Sequence, residues 1–162
     1  LPALPGVADT PHTRGNSTVI ILDTPTPGMP GPRQTPPTGK PLRGEPAGQI
    51  DLEALCRALG IRRVRVVDPN QLKEMDRVLK EELAAEEPSV IITRSPCVML
   101  KEVPKAPPLQ VDAGKSNGCN LCMRIGCPAL SLRGERVEID KTQCIGCQVC
   151  MQMCHRDALI VG

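Results

Sequence analysis

At 162 residues the chain has room for one ordinary domain, or for a moderate domain joined to a very small one that needs a staple. Twenty basic against eighteen acidic side chains leave a net charge of +2, too weak a field to argue for nucleic acid or a membrane surface as partner. No apolar run approaches the roughly 18 residues that span a bilayer, and the opening Leu1-Pro2-Ala3-Leu4-Pro5 lacks the charged start and apolar stretch of a secretory signal, so a soluble, cytoplasmic chain is expected.

There is no Phe, Tyr or Trp, so the core must be built thinly from Leu, Ile, Val, Met and Ala. The opening has no start methionine and reads like sequence from inside a domain, which points to a piece of something longer. Residues 1–16 carry Pro2, Pro5, Gly6, Pro11 and Gly15 without a sustained period and read as irregular. Ser17-Thr18-Val19-Ile20-Ile21-Leu22-Asp23 is a β-branched run between turn residues, the pattern of a strand buried on both faces. From Asp23 to Gly48 recurring proline and glycine remove backbone donors and argue for a long loop.

Regular structure returns at Asp51, an N-cap for a helix with Leu52, Leu55, Cys56 and Leu59 on one stripe and Gly60 at its left-handed end. Arg62-Arg63-Val64-Arg65-Val66-Val67 is a second strand. Asp68-Pro69, with Gln71 completing a capping box, opens a helix that aligns Leu72, Met75, Val78, Leu79 and Leu83 and runs to about Glu86. Ser89-Val90-Ile91-Ile92-Thr93 is a third strand, and strand, helix, strand, helix, strand at these spacings makes a parallel α/β sheet in three layers over residues 1–103. Three prolines between Lys101 and Pro108 place a linker at about 104–110. Residues 111–162 then hold an internal repeat: a cysteine-rich turn followed by Leu130-Ser131-Leu132, and, after a strand at Val137-Glu138-Ile139-Asp140, a second such turn followed by Ala158-Leu159-Ile160-Val161.

Seven of the nine cysteines fall in this repeat. The second half reads Cys144-x2-Cys147-x2-Cys150-x3-Cys154; three thiolates from one loop wrap one corner of an iron–sulfur cubane while the fourth reaches to the other cluster. The first half reads Cys119-x2-Cys122-x4-Cys127-Pro128, and three residues before Cys119 stands Ser116 where a cysteine is wanted. The crossed arrangement of two-cluster ferredoxins groups Cys144, Cys147 and Cys150 with Cys127 around one complete [4Fe–4S] cluster. Cys119, Cys122 and Cys154 are left for a second, with Ser116 at its remaining corner; a neutral hydroxyl suits iron less well than thiolate, so that site is three-iron, labile or empty. His155 in place of proline and the x4 spacing before Cys127 depart from the commonest motif. Structural zinc on paired C-x-x-C motifs is the competing reading, but leaves three cysteines without a task; a disulfide scaffold is the weaker one. Cys56, on its apolar stripe, reads as a plain buried thiol, and Cys97, after Ser95-Pro96, as structural rather than reactive.

A family resemblance is carried by Val19-Ile20-Ile21-Leu22-Asp23 with Thr26, Met29 and Gly31, then Ile50 to Leu55, Val66-Val67-Asp68-Pro69, Pro88 to Ile92, Pro96-Cys97-Val98-Met99-Leu100 and Gly126-Cys127-Pro128-Ala129. In order and spacing these resemble the C-terminal portion of the large subunit of indolepyruvate ferredoxin oxidoreductases. The resemblance implies the last part of a thiamine-diphosphate-binding α/β domain followed by a small α+β ferredoxin-like domain with two clusters. It also implies oxidative decarboxylation of an aryl 2-oxoacid onto coenzyme A with thiamine diphosphate and Mg2+, a smaller partner subunit, and electrons passed to external ferredoxin. The family's Gly-Asp motif, which supplies a magnesium ligand, lies upstream of the strand at Val19 and is absent here. At the strand end the family's Asp-Asn is Asp23-Thr24, so Thr24 offers a hydroxyl in place of the asparagine that binds magnesium, and Thr26 would offer a backbone carbonyl. These departures, with the prolines at 25, 27, 30 and 32, imply weak or no diphosphate binding by this chain. An enzyme subunit draining electrons through its clusters is thus the first reading, a non-catalytic electron carrier with a docking α/β domain the second, and a zinc-stabilised interaction module the third.

Overall fold

The computed structural model describes residues 4–13, 15–24, 50–98, 103 and 106–162. The chain divides into two compact units, Leu1–Val103 and Pro104–Gly162.

In the first unit a helix, α1 (Leu4–His12), precedes the strand β1 (Thr18–Asp23), and α2 (Leu52–Ala58), β2 (Arg63–Val67), α3 (Leu72–Leu83) and β3 (Ser89–Arg94) follow. The three strands form one parallel sheet in the order β1-β3-β2, with Val19 opposite Val90, Val90 opposite Val64, and Ile21 and Val66 flanking Ile92. β3 has a strand on each side and its Val90, Ile91 and Ile92 are wholly buried. Alternation along the strands sorts the apolar side chains onto two faces. Val64, Val90 and Ile92 pack with Val7 of α1, Leu52 and Cys56 of α2, and Ile61. Val67 and Ile91 pack with Val78, Met75 and Leu79 of α3. The first unit is therefore the expected parallel α/β sheet.

Several local expectations change. Residues 1–16 are not irregular, because α1 forms there despite Pro11. Pro5 lies in the first turn, where a missing N–H has no helical partner to lose. Pro11 costs only the bond to the Val7 carbonyl near the helix end, and burial of Val7 in the core offsets it. The hydroxyls of Thr10 and Thr13 donate back to the carbonyls of Gly6 and Asp9, each at 2.9 Å. β1 is not buried on both faces: among the described residues it is an edge strand, and Ile20 and Leu22 remain 46% and 78% exposed. α3 starts later than the capping-box reading has it, because the Asp68 carboxylate closes a turn by accepting the Asn70 N–H at 2.9 Å, and Gln71 rather than Asp68 stands at the helix N-cap. It ends at Leu83 instead of Glu86, and Leu83 is exposed. By contrast the Asp51 side chain accepts from the N–H groups of Glu53 and Ala54, and Gly60 has φ +92°, the cap and stop the sequence leads one to expect. The long loop lies outside the described residues except at Asp23 and Thr24.

The second unit is a pseudo-symmetric pair of strand, loop, strand segments. β4 (Leu109–Val111) pairs antiparallel with β7 (Leu159–Val161), and β5 (Leu130–Arg133) pairs antiparallel with β6 (Arg136–Ile139) across a tight turn at Gly134. Each half's first strand thus pairs with the last strand of the other half. Two 3-10 turns, Leu121–Ile125 and Cys150–Met153, follow the cysteine loops. β4 takes in Leu109 and Gln110, which the sequence assigns to the linker; Leu109 is buried at the centre of this unit's core with Leu130, Val137, Leu159, Cys122 and Cys150.

Candidate metal and cofactor site

The cysteine loops are built by backbone devices rather than by side-chain bulk. Asp140 accepts the N–H and hydroxyl of Thr142 at 2.8 and 2.6 Å and the Gln143 amide at 2.8 Å; these donors, the Thr142 hydroxyl first, hold its carboxyl below the usual aspartate range. The Asp140 carbonyl accepts the Cys144 N–H at 2.9 Å, which fixes where that thiol starts. Gly146 then takes φ +68°, and a Cβ there would stand 2.6 Å from the Pro107 carbonyl oxygen, so the loop presses against the segment before β4 as only glycine permits.

The turns bring cysteines of both halves into this unit's core, Cys122 and Cys150 buried and Cys127, Cys144 and Cys154 packed against them. Burial pushes the Cys150 thiol up to about 11, and thiolates at Cys147, Cys127 and Cys144 lie near enough to add to the rise. Burial likewise raises Cys122, with Cys154 and Cys119 contributing. Cys119, Cys122 and Cys154 line one pocket, together with Ser116, Asn120, Val137, Arg156 and Leu159. Two backbone amides donate to sulfur at 3.4 Å: Leu109 to Cys144 and Ala158 to Cys154. Such bonds stabilise thiolate charge and tune the potential of a metal bound to it. The buried Asn120 Oδ1 has no hydrogen-bond partner. Among the described residues no three His, Cys, Asp or Glu side chains close tightly enough to hold a single ion.

In soft-donor chemistry the two thiol sets fit iron–sulfur clusters. The thiamine diphosphate residues fit less well. Thr24 is exposed at the end of β1, and Asp23 is buried with a carboxylate oxygen 2.7 Å from Arg94 Nε, so the described residues do not complete a magnesium and diphosphate donor set. Thr26 lies outside the described residues. Cys56 is 1% exposed and burial raises its pKa, while Cys97 is half-buried.

Sequence reasoning passed over Glu82. It is buried in α3 and accepts Arg63 Nε at 2.7 Å, Arg63 Nη2 at 3.1 Å and Arg65 Nε at 3.2 Å. The signal was an acid on the apolar stripe of α3 with basic residues alternating along β2.

The parallel sheet and its flanking helices coincide with a known domain. Residues 8–93 match the family described as thiamine pyrophosphate enzyme, C-terminal TPP binding domain, and the chain belongs to that family. Over nearly its whole length it is also similar to proteins named indolepyruvate oxidoreductase subunit IorA. The relative from Methanothermobacter thermautotrophicus is 31% identical over 157 residues, covering 96% of this chain and 25% of the relative. Those from Archaeoglobus fulgidus and Pyrococcus abyssi are 32% and 34% identical, each over 96% of this chain and about a quarter of their own length, 26% and 25%. The chain thus spans about a quarter of the curated relatives it matches, in keeping with the C-terminal portion of such a subunit.

Proposed function

We propose that this chain is the electron-transfer portion of a 2-oxoacid ferredoxin oxidoreductase acting on indolepyruvate-type substrates, its second unit a ferredoxin-like domain with two iron–sulfur clusters. The observation that carries the reading is that both halves contribute cysteines to one core: Cys119, Cys122 and Cys154 line one pocket, and Cys127, Cys144 and Cys150 belong to the same packed cluster of the second unit. Structural zinc would engage four of the seven thiols and leave three without a task. The clusters supply one-electron steps; this chain's residues hold them, exclude water through Leu109, Leu130, Val137 and Leu159, and aim the Leu109 and Ala158 amides at ligand sulfurs.

In this reading thiamine diphosphate and Mg2+ belong to the assembled enzyme. The smaller partner subunit, coenzyme A, the 2-oxoacid and external ferredoxin meet the chain there, in the cytoplasm. No described helix is long and apolar enough to cross a membrane. A second reading, a non-catalytic carrier with a docking α/β domain, is favoured by one observation: Arg94 occupies Asp23 and Thr24 stands where asparagine is needed.

Anaerobically purified chain should be brown, with iron and acid-labile sulfide in equal amounts; colourless protein holding zinc overturns the cluster reading. Calorimetry with magnesium and thiamine diphosphate, in the presence of the partner subunit, divides the two remaining readings. Absence of binding leaves only the carrier.

A further inference from the structure

The two halves of the second unit repeat one backbone plan from the first strand through the second cysteine of each loop, and Ser116 breaks the side-chain correspondence there. Asp112 and Asp140 each follow a strand, and each accepts a backbone N–H on a carboxylate oxygen, from Gly114 at 2.9 Å and from Thr142 at 2.8 Å. Each also accepts the N–H of the fourth residue on: Ser116 at 3.0 Å in the first half, Cys144 at 2.9 Å in the second. The backbones stay matched beyond that point. Gly118 and Gly146 have φ +71° and +68°, and Asn120 and Gln148 have φ 55° and 61°. Cys119 and Cys122 thus stand where Cys147 and Cys150 stand. The N–H groups of Asp112 and Asp140 even donate to equivalent carbonyls, Ala158 and Ala129, at 2.7 and 2.8 Å.

Ser116 is therefore the counterpart of Cys144 in the backbone, and its side chain lines the same pocket as Cys119, Cys122 and Cys154. It also borders a neighbouring cleft lined by Arg136, Glu138 and Lys141. A serine hydroxyl is neutral, hard and shorter in reach than a thiolate, which makes it a poor fourth ligand for cluster iron.

Resting on the iron–sulfur reading above, we infer that the Cys119, Cys122 and Cys154 site holds its cluster by three thiolates, with Ser116 over a fourth iron that exchanges with solution. The companion site, closed by Cys144, does not exchange. Under a mild one-electron oxidant such as ferricyanide, the [4Fe–4S]2+ core gives up one electron, the fourth iron leaves as Fe2+, and a [3Fe–4S]+ core with all four sulfides stays on the three thiolates.

The test uses the full chain, reconstituted anaerobically and treated with stoichiometric ferricyanide and a chelator, with iron, sulfide and electron paramagnetic resonance as readouts. The unaltered chain should start near about eight irons and lose about one, keep its sulfide, and gain a three-iron signal near one spin per chain. Ser116→Cys should lose none and show no signal. Cys144→Ser, which copies the first half into the second, should lose about two. Retention of all iron by the unaltered chain overturns the inference, as does equal loss from Ser116→Cys. If Ser116→Cys does not fold, Cys144→Ser carries the comparison: loss no greater than in the unaltered chain overturns the inference. Absence of iron and sulfide from every variant overturns the cluster reading itself.

Discussion

Glu82→Gln would leave the shape of the α3 side chain intact and remove the charge that two arginines share. Because Glu82 is 1% exposed and takes three N–H bonds, about 2 kcal/mol of stability should be lost, read from urea midpoints. Arg63→Ala should cost less, since Arg65 still donates to the same carboxylate. Cys56 gives a pH effect of opposite origin. Burial raises its pKa above that of an ordinary thiol, so the folded thiol stays neutral where the unfolded one ionises. The unfolded state then binds fewer protons, and stability, unaffected below the unfolded pKa, falls as pH rises through the folded value. Urea midpoints across alkaline pH should show this slope in the native chain, and Cys56→Ala should flatten it while lowering stability at all pH by about 1 kcal/mol. Residue roles were unevenly legible. The cysteine loops stand out by spacing alone, whereas the partner of Glu82 depends on a sheet register that no local pattern states.

At the scale of elements, capping and glycine geometry carry the most testable content. Asp51→Ala removes acceptors for the Glu53 and Ala54 N–H groups and should destabilise the first unit by about 1 kcal/mol, seen as a lower melting temperature. The paired glycines of the cysteine loops should not be equivalent. Both need positive φ, but a Cβ on Gly118 meets its nearest atom, the Glu135 carbonyl oxygen, at 3.2 Å, while one on Gly146 meets Pro107 and Ala106 at 2.6 and 2.7 Å. Gly146→Ala should therefore lose more iron on gel filtration than Gly118→Ala; equal retention would show that φ alone decides. Strands β1 to β3 and helix α2 were readable because β-branched runs, an aspartate cap and a terminal glycine agree with one another. α1 was not, since its prolines and glycine argue locally against a helix that tertiary burial of Val7 rewards. β1 misled in another way: an unbroken apolar run describes a doubly covered strand, yet position in the sheet decides coverage, and β1 lies at an edge.

Considered whole, the chain joins a sheet unit with apolar packing on both faces to a unit of short strands whose core is partly made of cysteine. A segment as short as Pro104–Gly162, without an aromatic side chain, has little apolar area of its own, and on the iron–sulfur reading proposed above metal binding there would be folding free energy. Stripping the metal with acid and chelator should abolish amide-exchange protection in β4 to β7 while β1 to β3 keep theirs, as measured by exchange mass spectrometry. Persistent protection in β4 and β7 would show that their packing suffices alone. The sheet order, with β3 between β1 and β2, was not legible in the sequence, because nothing in a strand's own residues names its neighbours.

The exchange of strands between halves also sets an order of maturation. As the chain leaves the ribosome, the four-thiol set becomes complete when residue 150 emerges, but β4 still waits for β7, and the three-thiol pocket for Cys154. Neither half can be finished while the other is missing, and a truncation just before Leu159 would leave an open strand edge at β4, beside the Cys144 thiol to which Leu109 donates.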